Sequence, residues 1–234
     1  MARISGGKLV ALVLIALIGA AAAFGYFNQA TVMDESEAKL AEAEKTASPT
    51  TTAETQAALK EKSSDIIIGD TKAPMTIVEY SSLSCNHCAH FHQEVLPKLT
   101  EEFIAPGKVK LVVRHFPLNP PALKAAVLVE CAGQNGQKRE IFMKTLFEMQ
   151  SKWAFDEGFE KNLKQIAAVG GIDSAVFDSC MADKSIEDAI LLSRQEGETV
   201  LKVNGTPAFY INGVLYAGER TIDGFRKALE SAQH

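Results

Sequence analysis

The chain has 234 residues, 47% of them hydrophobic and 23% charged, with a formal net charge of -5. That is enough for one globular domain with a buried core and some appendages. The acidic balance, with no block of Lys or Arg able to neutralise a run of phosphates, argues against nucleic acid as a partner.

Arg3 and Lys8 precede an uncharged apolar run from Leu9 to Phe27, and acids follow at Asp34, Glu35 and Glu37. A basic flank before such a run predicts that the N-terminus stays inside and the rest is exported. The run of about 19 residues exceeds an ordinary signal-peptide core and just reaches the length of a membrane-spanning helix. Ala20-Ala21-Ala22-Ala23 offers a cleavage site of small residues, so residues 1–30 read as a signal anchor or a signal peptide, placing the protein in the periplasm, anchored to the inner membrane if the segment is kept. A buried core helix is a poor alternative because the run has no polar face. Residues 31–64 read as a flexible linker: Asp34 to Lys45 is rich in Ala, Glu and Lys, and Ala47-Ser48-Pro49-Thr50-Thr51-Thr52 has nothing to bury. As a flexible coil this stretch spans on the order of 30 Å.

From Asp65 the character changes. Ile66-Ile67-Ile68 is apolar and ends at the turn residues Gly69-Asp70. Met75 to Tyr80 is β-branched and mostly apolar, which predicts a buried central strand. Ser81-Ser82-Leu83-Ser84 suits a loop and a helix cap, and Cys85-Asn86-His87-Cys88 follows at once. Phe91, Val95, Leu96 and Leu99 recur at helical spacing, and Pro97 among them predicts a kink or a break. Val109 to Phe116 is a further strand, closed by Pro117. Pro121 to Gln195 reads as a long helical block punctuated by Gly133, Gly136 and Gly170-Gly171. Asn212-Gly213 between two apolar runs predicts a hairpin, because both turn residues must accept positive φ. Thr221 caps a terminal helix carrying Ile222, Phe225, Ala228 and Leu229. The order implies an α/β fold, with strand–helix–strand and hairpin parts in residues 65–118 and 197–234 and an inserted helical domain in 119–196.

Cys-x-x-Cys alone fits a zinc knuckle, a haem attachment site or a redox pair. Haem attachment needs His after the second cysteine, and Ala89 stands there. Zinc needs two more ligands, for which only His90 and His92 lie close, and a closed zinc site usually replaces a core that this chain already has. A metal-free redox pair is therefore expected. At a helix start, free N–H groups and the helix dipole favour an anion on Cys85. Cys88, a turn further on and deeper, would resolve the mixed disulfide. His87 is placed to add a donor or partial positive charge near the Cys85 sulfur. Each unit by which the pKa falls favours thiolate over thiol by about 1.4 kcal/mol. Pro207 opens a strand after Gly205-Thr206; trans is the default there, while a cis bond would turn the chain sharply and present Thr206 to an extended peptide.

Val78-Glu79-Tyr80, Cys85-Asn86-His87-Cys88, Arg114-His115-Phe116-Pro117 and Gly205-Thr206-Pro207 before Phe209-Tyr210-Ile211-Asn212-Gly213 together resemble the DsbA-like branch of the thioredoxin superfamily, over residues 65–234. The resemblance implies a thioredoxin fold with an inserted α-helical domain, a cis-proline at Pro207 facing the cysteines, and oxidation of reduced exported proteins without a bound cofactor. It also implies reoxidation by a quinone-linked membrane partner. Glu79 matches a buried acid of this superfamily that helps proton transfer around the resolving cysteine. Arg114 and His115 either face the site or are ordinary strand-end residues, and the latter is expected. Two departures bear on direction: the best-known members carry Pro-His where this chain has Asn86-His87, and Thr206 is shared with isomerase branches. The competing readings are an isomerase or reductase kept reduced, for example in cytochrome maturation, and a non-catalytic adaptor using the Pro207 groove. Cys131 and Cys180 fall on separate predicted helices; in an exported protein an even cysteine count favours a structural disulfide over two buried thiols.

Overall fold

The computed structural model of the protein describes residues 53–133 and 136–232. The apolar run Leu9–Phe27 and the linker up to residue 52 lie outside the described residues. No helix among the described residues is long and apolar enough to cross a membrane.

The first described element is a helix, α1 (Ala53–Leu59). It lies in the stretch assigned on composition to the flexible linker, yet its Ala58 and Leu59 are buried. The missed signal is the pair of apolar residues at the end of an otherwise polar segment, which pack on a distant sheet face. Five strands follow in the sheet order β1 (Ile66–Ile68), β3 (Val109–His115), β2 (Met75–Ser81), β4 (Ala208–Ile211), β5 (Val214–Tyr216). β2 and β3 are parallel; the other neighbours are antiparallel. β2 is therefore central, and both its faces are covered, which explains its mostly apolar composition.

The period of two sorts side chains between the two faces. Ile77, with Leu111, Val113, Phe209 and Ile211, belongs to the larger core, and Glu79 and Ser81 share its side of β2. Val78, Tyr80, Val112 and Tyr210 form a second core with Ala58, Leu59, Phe116, Leu201 and Val203. β4 and β5 are joined by Asn212 and Gly213 at φ of 48° and 86°, both left-handed, as the Asn-Gly signal requires.

Between β2 and β3 runs a helix over 86–104, α2. It is α-helical over Asn86–His90 and Leu96–Leu99, and wider π-turns occupy Phe91–Val95 and Thr100–Ile104. Pro97 does not end it. The Leu96 N–H bonds Phe91 O five residues back, and this widened turn takes up the clash a proline ring makes with the preceding turn.

The helical block resolves into α3 (Pro120–Glu130), α4 (Gly136–Glu148), α5 (Gln150–Trp153), α6 (Phe159–Val169), α7 (Ser174–Met181) and α8 (Lys184–Thr199). The side chains of Asn119, Asp173 and Asp183 cap α3, α7 and α8. α8 runs back onto the second core, where a Cβ at Gly197 would stand 2.7 Å from the Tyr80 ring, so only glycine permits this approach. The chain ends in α9 (Ile222–Ser231), capped by Thr221.

Cys131, at the end of α3, is bonded to Cys180 on α7 with 5.9 Å between Cα atoms. Closing a 49-residue separation stabilises by about 4 kcal/mol through the unfolded chain. The double replacement Cys131→Ala, Cys180→Ala is expected to lower the unfolding free energy by about that amount in a denaturant titration, with the acidity of Cys85 unchanged.

Arg114 and His115 end β3, as the strand-end reading has it, and both are buried. Arg114 donates to both carboxylate oxygens of Asp65 at 2.8 and 2.9 Å, to Tyr80 Oη at 3.1 Å, and to the carbonyls of Ala58 and Lys60. His115 Nε2 lies 3.5 Å from Glu130, which also pairs with Arg139. Every one of these partners but Tyr80 lies outside the strand pattern, so local periodicity carried no sign of them.

Candidate active site

The site is built where β2 ends and α2 begins. The turn over Ser82 to Cys85 is closed by Cys85 N–H to Ser82 O at 3.0 Å. Cys85 itself is the N-cap of α2, in an extended conformation, rather than one of the preceding serines. Its sulfur therefore occupies the place of the usual capping oxygen, facing N–H groups that have no partner inside the helix.

The two sulfurs, both free thiols, differ sharply. Cys85 is half-buried, and its pKa is pulled down to about 5. The largest cause is a hydrogen bond from the Cys88 thiol; partial burial opposes it, and the Thr206 side chain and the N–H groups of Cys88 and His87 add to the lowering. Cys88 is fully buried. Burial pushes its thiol up, and the Cys85 sulfur and the Glu79 charge push the same way, against a smaller opposing contribution from the Ser81 hydroxyl.

The peptide bond from Thr206 to Pro207 is cis. The Cys85 thiol donates to Thr206 O at 3.3 Å, a bond that favours the neutral thiol. The Thr206 hydroxyl is buried without a partner, so it is available to turn towards the sulfur once that is ionised, favouring the thiolate. The Thr206–Pro207 turn thus lies against the accessible sulfur.

The structure brings Cys85, Cys88, Glu79, Thr206 and Pro207 to one place. The His87 side chain is exposed and makes no hydrogen bond among the described residues; its contribution to Cys85 is the backbone N–H. Glu79 is fully buried, with Oε2 2.9 Å from His92 Nε2 and Oε1 unpartnered. His92 stacks on Phe147 at 4.3 Å. Sequence reasoning weighed His92 only as a zinc ligand. Among the described residues no three His, Cys, Asp or Glu side chains stand together as a metal site, and His92 is engaged by Glu79.

Gln150, at the start of α5, was also missed. It is buried, and its amide donates to Leu83 O at 2.7 Å and Cys85 O at 3.1 Å, tying the helical insertion to the turn that carries the sulfur. No local signal identifies it, since its partners are 67 and 65 residues away.

A dithiol with one acidic sulfur at a helix start, set against a cis-proline turn, defines the site of the thiol–disulfide oxidoreductase class. The thioredoxin family profile matches residues 61–231. The crystal structure of alpha-DsbA1 from Wolbachia pipientis is similar at 31% identity and a TM-score of 0.70, covering 76% of this chain and 94% of that one. A Rickettsia felis protein named as a protein-disulfide oxidoreductase is 30% identical over 168 residues, covering 72% of this chain and 60% of that protein. The chain thus spans less than two thirds of that relative's length. BdbD from Bacillus subtilis, at 19% identity and a TM-score of 0.65 over 72% of this chain and 92% of that one, shares the fold. The chain belongs to the thioredoxin family, in its DsbA-like branch.

Proposed function

We propose that the protein is a thiol–disulfide oxidoreductase that oxidises cysteine pairs in exported proteins, using the Cys85–Cys88 disulfide and a mixed disulfide at Cys85. The observation that carries this reading is the asymmetry of the two sulfurs: Cys85 accessible and acidic, Cys88 buried and held as a thiol. A substrate thiolate attacks the disulfide at Cys85, Cys88 leaves, and the second substrate thiol then displaces Cys85 as the better leaving group. Thr206 and Pro207 hold the extended substrate segment beside the sulfur, and Cys131–Cys180 acts only as a structural disulfide. In this reading the protein works in the periplasm, anchored to the inner membrane if its N-terminal segment is kept, and a quinone-linked membrane partner reoxidises it.

The sign of the pH dependence follows from Cys85. Its pKa is about 5 when folded and about 8.5 in an unfolded chain. The thiolate's stabilisation of the reduced folded form is complete above about pH 8.5, shrinks as pH falls, and is gone below about pH 5. Alkylation of the reduced protein, followed against pH, is expected to show Cys85 half-ionised near pH 5. Equilibration with glutathione tests direction: the oxidase reading expects a potential well above the thioredoxin value of about -270 mV. A potential at that value would instead identify a reductase or isomerase kept reduced.

A further inference from the structure

Cys88 and His92 are four residues apart on α2, so they share one side of the helix. That side meets the face of β2 from which Glu79 projects between Ile77 and Ser81. At the same register β3 contributes Val113 and β4 contributes Phe209, both apolar. The titratable groups bearing on Glu79 are therefore Cys88 and His92, and the only side-chain hydrogen bond of its carboxylate among the described residues is to His92 Nε2. His92 is itself buried on its side chain, 4% exposed, and clamped between Phe147 and the edge of Phe91. A carboxylate and an imidazole sealed in this way cannot hold two net charges cheaply, but they can hold one proton between them.

We infer that His92 is a positioning residue that shares with Glu79 the proton exchanged by Cys88. The inference rests on the proposed reading of Cys88 as the buried leaving group and extends it to a residue outside the Cys-x-x-Cys motif. As an incoming thiolate forms its S–S bond to Cys85, the Cys85–Cys88 bond breaks and leaves its electron pair on Cys88. The Glu79–His92 pair gives one proton to that sulfur and passes from neutral to one negative charge, held as a carboxylate bonded to the His92 Nε2–H. Closing the disulfide runs the same transfer backwards: the Cys88 S–H bond breaks, its proton returns to the pair, and the sulfur attacks Cys85 in a mixed disulfide, whose other S–S partner leaves with the electron pair as a thiolate. His92 keeps Oε2 occupied, which leaves Oε1 as the oxygen free to serve Cys88.

The test is the second-order rate of opening of the oxidised full chain by glutathione between pH 4 and 9, in His92→Gln, Glu79→Gln and the parent. His92→Gln keeps an amide N–H for Glu79 but takes up no proton; general acid catalysis of this kind is worth about 100-fold or more. His92→Gln is expected to slow opening by about that factor and to displace the pH midpoint of the rate, while the alkylation midpoint of Cys85 in the reduced protein stays near 5. A parent-like rate and pH profile in His92→Gln, with Glu79→Gln slow, overturns the role of His92 alone. Parent-like behaviour in both variants removes proton transfer through Glu79 altogether. Should His92→Gln prove unstable, His92→Asn replaces it under the same reading.

Discussion

Replacing Cys85 with serine is expected to abolish thiol–disulfide exchange, with a loss of at least about 1,000-fold in the rate of oxidation of a reduced peptide. The serine hydroxyl is not ionised at neutral pH and forms no disulfide, so the donors gathered at the start of α2 have no sulfur anion to stabilise. Cys88→Ala has a different signature. Cys85 still forms a mixed disulfide, but the buried partner that would release it is gone, and the adduct should accumulate as a stable species on a non-reducing gel. The loss of the Cys88 thiol also removes the largest contribution to the acidity of Cys85, so the alkylation midpoint in Cys88→Ala should rise. Exchange at the parent rate in Cys85→Ser would end the proposed mechanism. A purely peptide-binding adaptor predicts instead that Cys85→Ser leaves the protein's activity in the cell unchanged.

The second large effect is on stability. Arg114 and Asp65 form an ion pair with side chains 1% and 2% exposed. Arg114→Met keeps bulk but leaves the Asp65 carboxylate buried without its counter-charge, and strands Tyr80 Oη and the carbonyls of Ala58 and Lys60. Breaking such a pair from one side costs about 3–5 kcal/mol. A denaturant titration should show a loss of that size, with most of it recovered when Asp65→Asn is added. The Cys85 titration should not move, because Arg114 and the cysteines lie on opposite faces of the sheet. A change below about 1 kcal/mol would mean that water enters and satisfies the carboxylate.

Those two sites differ in how far the sequence disclosed them. β2 was legible because a strand covered on both faces is mostly apolar and β-branched, and the β4–β5 hairpin because Asn212-Gly213 admits few alternatives. The Cys-x-x-Cys pair was legible from its place between a strand and a helical run. Pro97 marked an irregularity in the helix but not its form, because a proline's local rule knows nothing of a π-turn that absorbs it. Ser81-Ser82-Leu83-Ser84 misled: serine is the common cap, but here the reactive sulfur takes the capping position itself. Glu79 was found through resemblance, yet its partner was not, although His92 stands one helical turn after Cys88. Gln150 and Arg114 were beyond local reading altogether, since their partners come from elements tens of residues away.

The attachment of α1 has a mechanical consequence. Ala58 and Leu59 pack against Val78 and Tyr80, and the Arg114 fork grips the carbonyls of Ala58 and Lys60. The polypeptide therefore enters the catalytic domain from behind, on the side of the sheet turned away from Cys88. A pull transmitted from the N-terminus would be borne by that rear clasp and the strands beneath it. The Cys85 sulfur lies on the other side of that sheet.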